Sequence, residues 1–253
     1  MIKDNLYNEQ LLIKVCMLAG KIMLESGAET YRVEDTMLRI ASSFGVMNAQ
    51  SYVTPTGILF SINESEPSNF IRIMERSTDL HKVTQVNSIS RKISSGELTV
   101  ARAHACLEKI KQGTHVYSIS KRIMAASVAS GCFTIMFNGT WFDFFPSVFA
   151  GGIGYGSVVY FHRIVEIRFF AEFLSSAIIG LLAYLFVLTG FGIELDKMII
   201  GSVMPLVPGL LITNAVRDLM AGHLVSGLSK GAEAFLTAFA IGAGIAVVIS
   251  LMS

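Results

Sequence analysis

Two hydrophobic rhythms divide this chain. From Glu9 to Ser26 apolar residues recur at Leu11, Val15, Leu18 and Ile22 while Lys14, Lys21 and Glu25 take the opposite side, the period of an amphipathic helix. Gly27 follows it as a residue able to take the left-handed conformation that ends a helix. A second helix is predicted from near Thr30, whose hydroxyl can cap it, with Glu34 and Asp35 in the first turn, and it stops at Gly45. Gln50 to Ile62 is rich in β-formers around a Pro55-Thr56-Gly57 turn and predicts a hairpin, with Phe70 to Arg76 as a third strand. Helices over Asp79 to Ser95 and Thr99 to Gln112 complete an α+β domain across residues 1–117.

After Lys121 and Arg122 the alternation gives way to continuous apolar runs. Five predicted spans, at about 123–140, 143–161, 169–191, 198–216 and 233–252, lie near the roughly 20 residues a bilayer core demands. Gly152 and Gly156, Ser176 and Gly180, and Ala238, Gly242 and Ala246 repeat a small-xxx-small spacing that lets helices approach closely. The run Gly151 to Gly156 sits inside an apolar span with no Lys-Ser/Thr after it, which argues against a phosphate loop. The expected fold is therefore a membrane protein: an N-terminal cytoplasmic α+β domain, then a five-helix transmembrane bundle over residues 118–253.

Composition sharpens this division. The chain is 52% hydrophobic and 15% charged, with a mean hydropathy of +0.57, too apolar for an ordinary soluble fold. Of 20 Lys and Arg, 15 precede Ile123, and of 19 acids 12 do. Basic residues at Lys121-Arg122, at Arg163 and Arg168, and at Arg217 and Lys230 mark loops expected on the cytoplasmic side, placing the N-terminus inside and the C-terminus outside. Lys14 and Lys21 interrupt the first apolar run, so it does not read as a signal-peptide core and the N-terminus is expected to be retained. Three cysteines without CxxC spacing, scattered histidines and no nucleophile elbow predict no metal, no cofactor, no nucleic-acid partner and no enzyme activity.

The candidate chemistry gathers where an apolar span breaks itself. Pro205 and Pro208 each lack an N–H and clash with the carbonyl four residues back, so no continuous helix is expected through Met204 to Gly209. In hydrocarbon, such a break is tolerated where it is buried in protein or faces a wet cavity, the pattern of a transporter's substrate site. Thr213 and Arg217 then share one helix face and Asn214 and Asp218 another. The simpler reading is a kinked helix with Arg217 and Asp218 marking the membrane boundary. Glu172 is an acid inside an apolar span, read either as a proton-coupling group or as an interfacial carboxylate facing Arg168. Asp143 and Glu233 sit at span starts, where helix capping or a dipole interaction explains them as well as a functional role does.

Two stretches, ESGAETYRVEDTMLRIASSFG from Glu25 and MPLVPGLLITNAVRDLMAGHLVSGLSKGAEAF from Met204, resemble the threonine/serine exporter (ThrE) family, and the layout resembles it over nearly the whole chain. The resemblance implies proton-driven export of small hydroxy amino acids from the cytoplasm across a bacterial inner membrane, as an antiporter. Split systems in the family suggest small dicarboxylates such as succinate as an alternative cargo. Long members carry a second membrane half, so a chain ending at Ser253 resembles the larger subunit of the two-component form and implies a separate small membrane subunit as partner. The family's motifs fall on Gly27, Glu29, Arg32 and Glu34 in the first domain, and on Pro205, Pro208, Gly209, Thr213, Asn214, Arg217 and Asp218 in the broken span. The corresponding hypothesis gives Pro205 to Gly209, Thr213, Asn214 and Arg217 to the substrate, and Asp218 or Glu172 to the proton. A regulatory or scaffold subunit and a membrane-tethered enzyme are the competing classes.

Overall fold

Each helix of the N-terminal stretch ends where its sequence supplies a stop. The computed structural model describes residues 2–113, 117–165 and 168–252, leaving the side chains of residues 2–8 and of residue 168 outside the description. Helix α1 (Ile2–Glu25) starts earlier than its amphipathic period suggests. It closes in a Schellman motif: Ala28 N–H donates to Met23 O at 3.0 Å and Gly27 N–H to Leu24 O at 3.2 Å. Gly27 holds the left-handed φ of 85° that the motif needs.

Helix α2 (Thr30–Ser43) follows after four residues. Strands β1 (Gln50–Thr54), β2 (Gly57–Ser61) and β3 (Asn69–Arg72) form an antiparallel sheet in the order β1-β2-β3, the hairpin turning through Pro55 and Thr56. β3 stops at Arg72, short of the expected Arg76, because Arg72 pairs with Gly57, the first residue of β2; beyond it Ile73 N–H donates to Thr56 O in the turn, and Ser77 and Asp79 N–H donate to Glu25 O and Ser26 O at the end of α1 instead of to a strand. Helices α3 (Leu80–Ser94) and α4 (Val100–Gln112) are capped by the Asp79 and Thr99 side chains, which accept from Lys82 N–H and Arg102 N–H. Their apolar faces meet those of α1, α2 and the sheet in one core containing Met23, Met37, Ile40, Ile58, Phe60 and Leu107.

By internal contacts the chain forms two compact units, Met1–Val116 with Ile212–Gly231, and Tyr117–Leu211 with Ala232–Ser253. The second contains α5 (Ile119–Met136), α6 (Trp141–Ile164), α7 (Arg168–Leu188) and α8 (Leu195–Val203). A 3-10 turn (Met204–Leu206) and α9 (Gly209–Met220) come next, then α10 (Leu224–Met252); the larger part of α9 and the start of α10 belong to the first unit. The helix breaks where Pro205 and Pro208 predict, and the two arms are bent by 63°.

This second unit is built inside out. Along α6 the large apolar residues Phe142, Phe145, Phe149, Ile153 and Tyr160 face outward, while Asp143, Ser147, Ala150, Gly151 and Gly154 are buried. Water would not tolerate such a surface, and a bilayer favours it. Three helices, α6, α7 from Phe169, and α10, are long and apolar enough to cross a membrane, and the bent α8–α9 pair makes a fourth if it is one span. The helix at the first expected span, α5, carries Lys121, Arg122 and several hydroxyls and is not among them.

Close approach comes from small residues. Gly151 and Gly152 lie against Ser130 and Ser127 of α5, Gly154 against Ile179, Gly201 against Thr134, and Gly244 against Ser176. Of the expected positions Gly152 and Ser176 take part in these close approaches and Gly180 has Val248 at ordinary contact distance, whereas a Cβ at Gly156 would meet Ile123 at 3.7 Å and one at Gly242 would meet nothing within 4 Å. Asp143 caps α6, accepting from Thr140 N–H at 3.1 Å, and also accepts from the Ile193 N–H at 2.7 Å, tying the α7–α8 turn to the start of α6.

A side chain at Gly27 would sit in the left-handed region with its Cβ 3.1 Å from Ser77 O, whereas Gly45, at φ 90°, has open space around it. Gly45→Ala is expected to lose about 1–2 kcal/mol from backbone strain alone, and Gly27→Ala distinctly more. Thermal unfolding of the purified chain in detergent reads the difference, and equal losses would remove the contact with Ser77 from the account.

Candidate functional site

The start of α2 has unmet hydrogen-bonding needs of its own. Its N-cap residue, Glu29, makes no side-chain cap bond, and Thr30, expected as the cap, is the first helical residue instead. Arg32 and Val33 N–H both reach Glu29 O, which leaves the amides of Thr30 and Tyr31 to be satisfied from elsewhere. They are met by Asp218, whose Oδ1 accepts from Thr30 N–H at 2.9 Å and from Tyr31 N–H at 3.4 Å. A carboxylate there also meets the positive end of the helix dipole.

Asp218 is 0% exposed, and its second oxygen accepts from Lys230 Nζ at 2.7 Å, itself only 4% exposed. The ammonium donates further to Thr30 Oγ1 at 3.0 Å and to Ala28 O at 3.4 Å. An ammonium has three protons to give, and all three have acceptors. The buried pair is therefore hydrogen-bonded throughout, the condition under which two charges tolerate removal from water.

Around this pair the returning segment makes further bonds to the same unit. Asn214 Nδ2 donates to Gly27 O at 2.9 Å. Arg217 lies 2.5 Å from Glu29 Oε1, and Arg32 reaches the other oxygen at 3.4 Å. Burial pushes the Glu29 carboxyl up, but the bond to its backbone, the bond from Arg217 and the charges of Arg32 and Arg217 outweigh that and hold it below the usual carboxylate range. At the edge strand β1, Val53 N–H donates to Glu34 Oε1 at 2.8 Å and Val53 O accepts from Ser226 Oγ at 3.2 Å. Both of its backbone groups are thus occupied. Burial raises the Glu34 carboxyl against the opposing Val53 bond and the nearby His223, whose Nδ1 is 3.6 Å away.

The candidate residues thus fall into two groups. Gly27, Glu29, Arg32, Glu34, Asn214, Arg217 and Asp218 meet in the first unit, 188 positions apart in the case of Arg217 and Glu29. Thr213 belongs to that unit too, while Pro205, Pro208 and Gly209 belong to the second. In the second unit Glu172 is 5% exposed on α7, with His162 Nε2 4.0 Å away; the Arg168 side chain is outside the described residues. Sequence reasoning missed Lys230 and Ser226, whose role depends on partners about 200 and 173 residues away. The one hint was a lysine inside a stretch otherwise rich in small and apolar residues.

Asp218→Asn is expected to cost about 3–5 kcal/mol, since it strands the Lys230 ammonium, and Lys230→Met a similar amount. The double variant should recover much of the loss, and strictly additive losses in a double-mutant cycle would count against the pair. Glu29 has a depressed pKa in the folded chain, so its stabilisation is complete above about pH 4.3 and is lost as pH falls through its folded value. The stability gap between the wild type and Arg217→Gln should accordingly be full at neutral pH and shrink in acid.

Comparison with known proteins fixes what kind of chain carries this arrangement. The sequence model of the family described as "Putative threonine/serine exporter" matches residues 14–252. The chain is 24% identical over 256 residues to a "Probable threonine/serine exporter" of Mycobacterium tuberculosis, an alignment covering 98% of this chain and 47% of that protein, so it spans about half of that relative's length. It is 25% identical to the "Probable succinate transporter subunit YjjP" of Klebsiella aerogenes and to that of Escherichia coli, over 96% of this chain and 95% of each relative. No solved structure matches. With the family match running from α1 through the broken span to the end of α10, this chain belongs to the threonine/serine exporter family, a family of transporters and not of enzymes.

Proposed function

We propose that the chain is one component of a secondary exporter of small amino acids such as threonine and serine, driven as an antiporter by the proton gradient of a bacterial inner membrane. The observation that carries this is the polarity buried in an inside-out unit. The Ser147, Ser175 and Thr237 hydroxyls, on α6, α7 and α10, are buried with no hydrogen-bond partner among the described residues. Glu172 lies one turn before Ser175 on α7. Anchoring alone gives no reason to bury such groups among apolar helices, and ionisable residues within membrane spans mark ion or substrate paths by default.

In this reading Glu172 exchanges the proton, with His162 at its side. The break from Pro205 through Pro208 to Gly209 offers backbone groups to the cargo, since Val207 turns out of helical geometry, its N–H on Met204 O at 3.2 Å and the Gly209 N–H on Val207 O at 2.8 Å, and the two prolines have no N–H to give. Asn214, Arg217 and Asp218 act as the clamp that holds α9 and the start of α10 to α2. A substrate or proton role for any of them first requires its present bond to Gly27, Glu29 or Lys230 to open. α5 serves as a fifth crossing beside α6 and α8, which leaves the N-terminal unit in the cytoplasm and the C-terminus outside.

A small dicarboxylate is the second reading of the cargo, favoured by nearly full-length similarity to two relatives named as succinate transporter subunits. The word "subunit" in those names also supports a separate small membrane partner.

Efflux of preloaded labelled threonine, serine and succinate from vesicles, with and without a candidate partner and an imposed proton gradient, tests the proposal. Gradient-dependent efflux of one cargo is expected, with Glu172→Gln losing most of the gradient dependence at an unchanged unfolding temperature. If no cargo leaves under any condition while both proteins remain folded, the transport assignment fails.

A further inference from the structure

Helices α2 and α3 pack through Val33, Met37 and Ile40 against Val83, Val86 and Ile89, and above this seam their polar edges diverge into a groove of about 250 Å3. Its lining is strongly basic. Arg32 and Arg39 come from α2, with Asp35 between them on the same face, and Arg91 comes from α3 beside Asn87 and Ser90. Three guanidinium groups against one carboxylate leave an excess of two positive charges. Asp35 is spent on Arg39 at 2.7 Å, Arg32 makes only a 3.4 Å contact to Glu29, and Arg91 has no ion-pair partner among the described residues.

The floor of the groove carries an independent sign of a missing ligand. Ser90 is 3% exposed, and its hydroxyl is buried with no hydrogen-bond partner among the described residues. Buried hydroxyls in folded proteins almost always have partners, and one without calls for an explanation. On the same helix the Ser94 hydroxyl bonds back to Ser90 O at 3.1 Å, so a local acceptor of this kind is within reach of a helical serine, yet Ser90 makes no such bond.

We infer that this groove is a binding site for a small dianion, a dicarboxylate or a phosphate, held by the guanidinium groups of Arg32, Arg39 and Arg91 and by donors from Asn87 and Ser90. Planar guanidinium forks suit both oxyanions and can bind them in bidentate fashion. The volume lies below the roughly 300–1,000 Å3 of sites for drug-sized ligands, which fits a compact metabolite or ion. Metal cations are repelled by the same charges, and a neutral zwitterion leaves the excess uncompensated. The site lies wholly in the first unit and does not depend on the transport reading. It has a route to the α2 corner: an anion that draws on Arg32 competes with Glu29, the partner of Arg217.

The test is ligand binding to the purified full-length chain in detergent, by calorimetry and by thermal shift, with succinate, inorganic phosphate, threonine and chloride as probes. Saturable binding of succinate, phosphate or both, weakened about tenfold or more by Arg91→Gln and by Ser90→Ala, with threonine and chloride silent, supports the site. Succinate alone identifies a carboxylate ligand and phosphate alone a phosphate ligand. Arg91 is exposed and Ser90→Ala removes only an unpartnered hydroxyl, so both variants are expected to fold, which their unfolding temperatures verify. Absence of saturable binding by either dianion overturns the proposal, as does binding that both variants leave unchanged or that threonine matches. Because binding is read without transport, its failure is separate from failure of the efflux experiment.

Discussion

The ion pair between Asp218 and Lys230 is the constraint on which the first unit depends. Two opposite charges buried at 2.7 Å are stable only if every remaining hydrogen-bonding capacity is met, and here the helix amides of Thr30 and Tyr31, the Thr30 hydroxyl and Ala28 O complete the set. The pair replaces a local cap. Because α2 begins with residues that do not cap it, its first turn is stable only when the segment 212–231 has returned. A displaced segment would leave the Thr30 and Tyr31 amides and the Thr30 hydroxyl without these partners together.

A second consequence follows for the sheet. β1 is an edge strand, and its Val53 backbone is closed by one side chain from α2 and one from the start of α10. The two acids at the start of α2 then acquire opposite characters. Glu29, beside two arginines, is held ionised, while burial raises Glu34 towards its neutral form, with His223 opposing. The same short stretch of α2 also presents Arg32 and Arg39 to the groove shared with α3, so structural and ligand-facing roles occupy adjacent faces of one helix.

The second unit obeys a different solvent. Its helices meet through glycine and serine, as at Gly151 on Ser130 and Gly244 on Ser176, because hydrocarbon offers no hydrophobic drive to associate and only close packing and polar contacts remain. Phenylalanines that a soluble core would enclose point outward, and hydroxyls that a soluble surface would expose point inward. That inversion is what a unit of several membrane-crossing helices requires, in keeping with membership of a transporter family.

Much was legible from the residues alone. The periodicity of α1 to α4, the Pro55-Thr56 turn, the stops at Gly27 and Gly45 and the break at Pro205 and Pro208 are each decided by a few neighbouring residues, so local physics suffices. The tertiary structure decided what faces what. Spacing put Asn214 and Asp218 on one face but carried no sign that their partners were Gly27 and Thr30, or that Lys230 would lie buried between them. Its small-residue repeat included Gly152 and Ser176, which do approach a neighbour closely, but also Gly156 and Gly242, where Gly154 and Gly244 make the close approach instead, because a repeat fixes a helix face and not the neighbour that meets it. Sequence sets what each segment can form by itself. Which charge is buried against which amide depends on pairs nearly 200 residues apart, and only the folded chain brings those together.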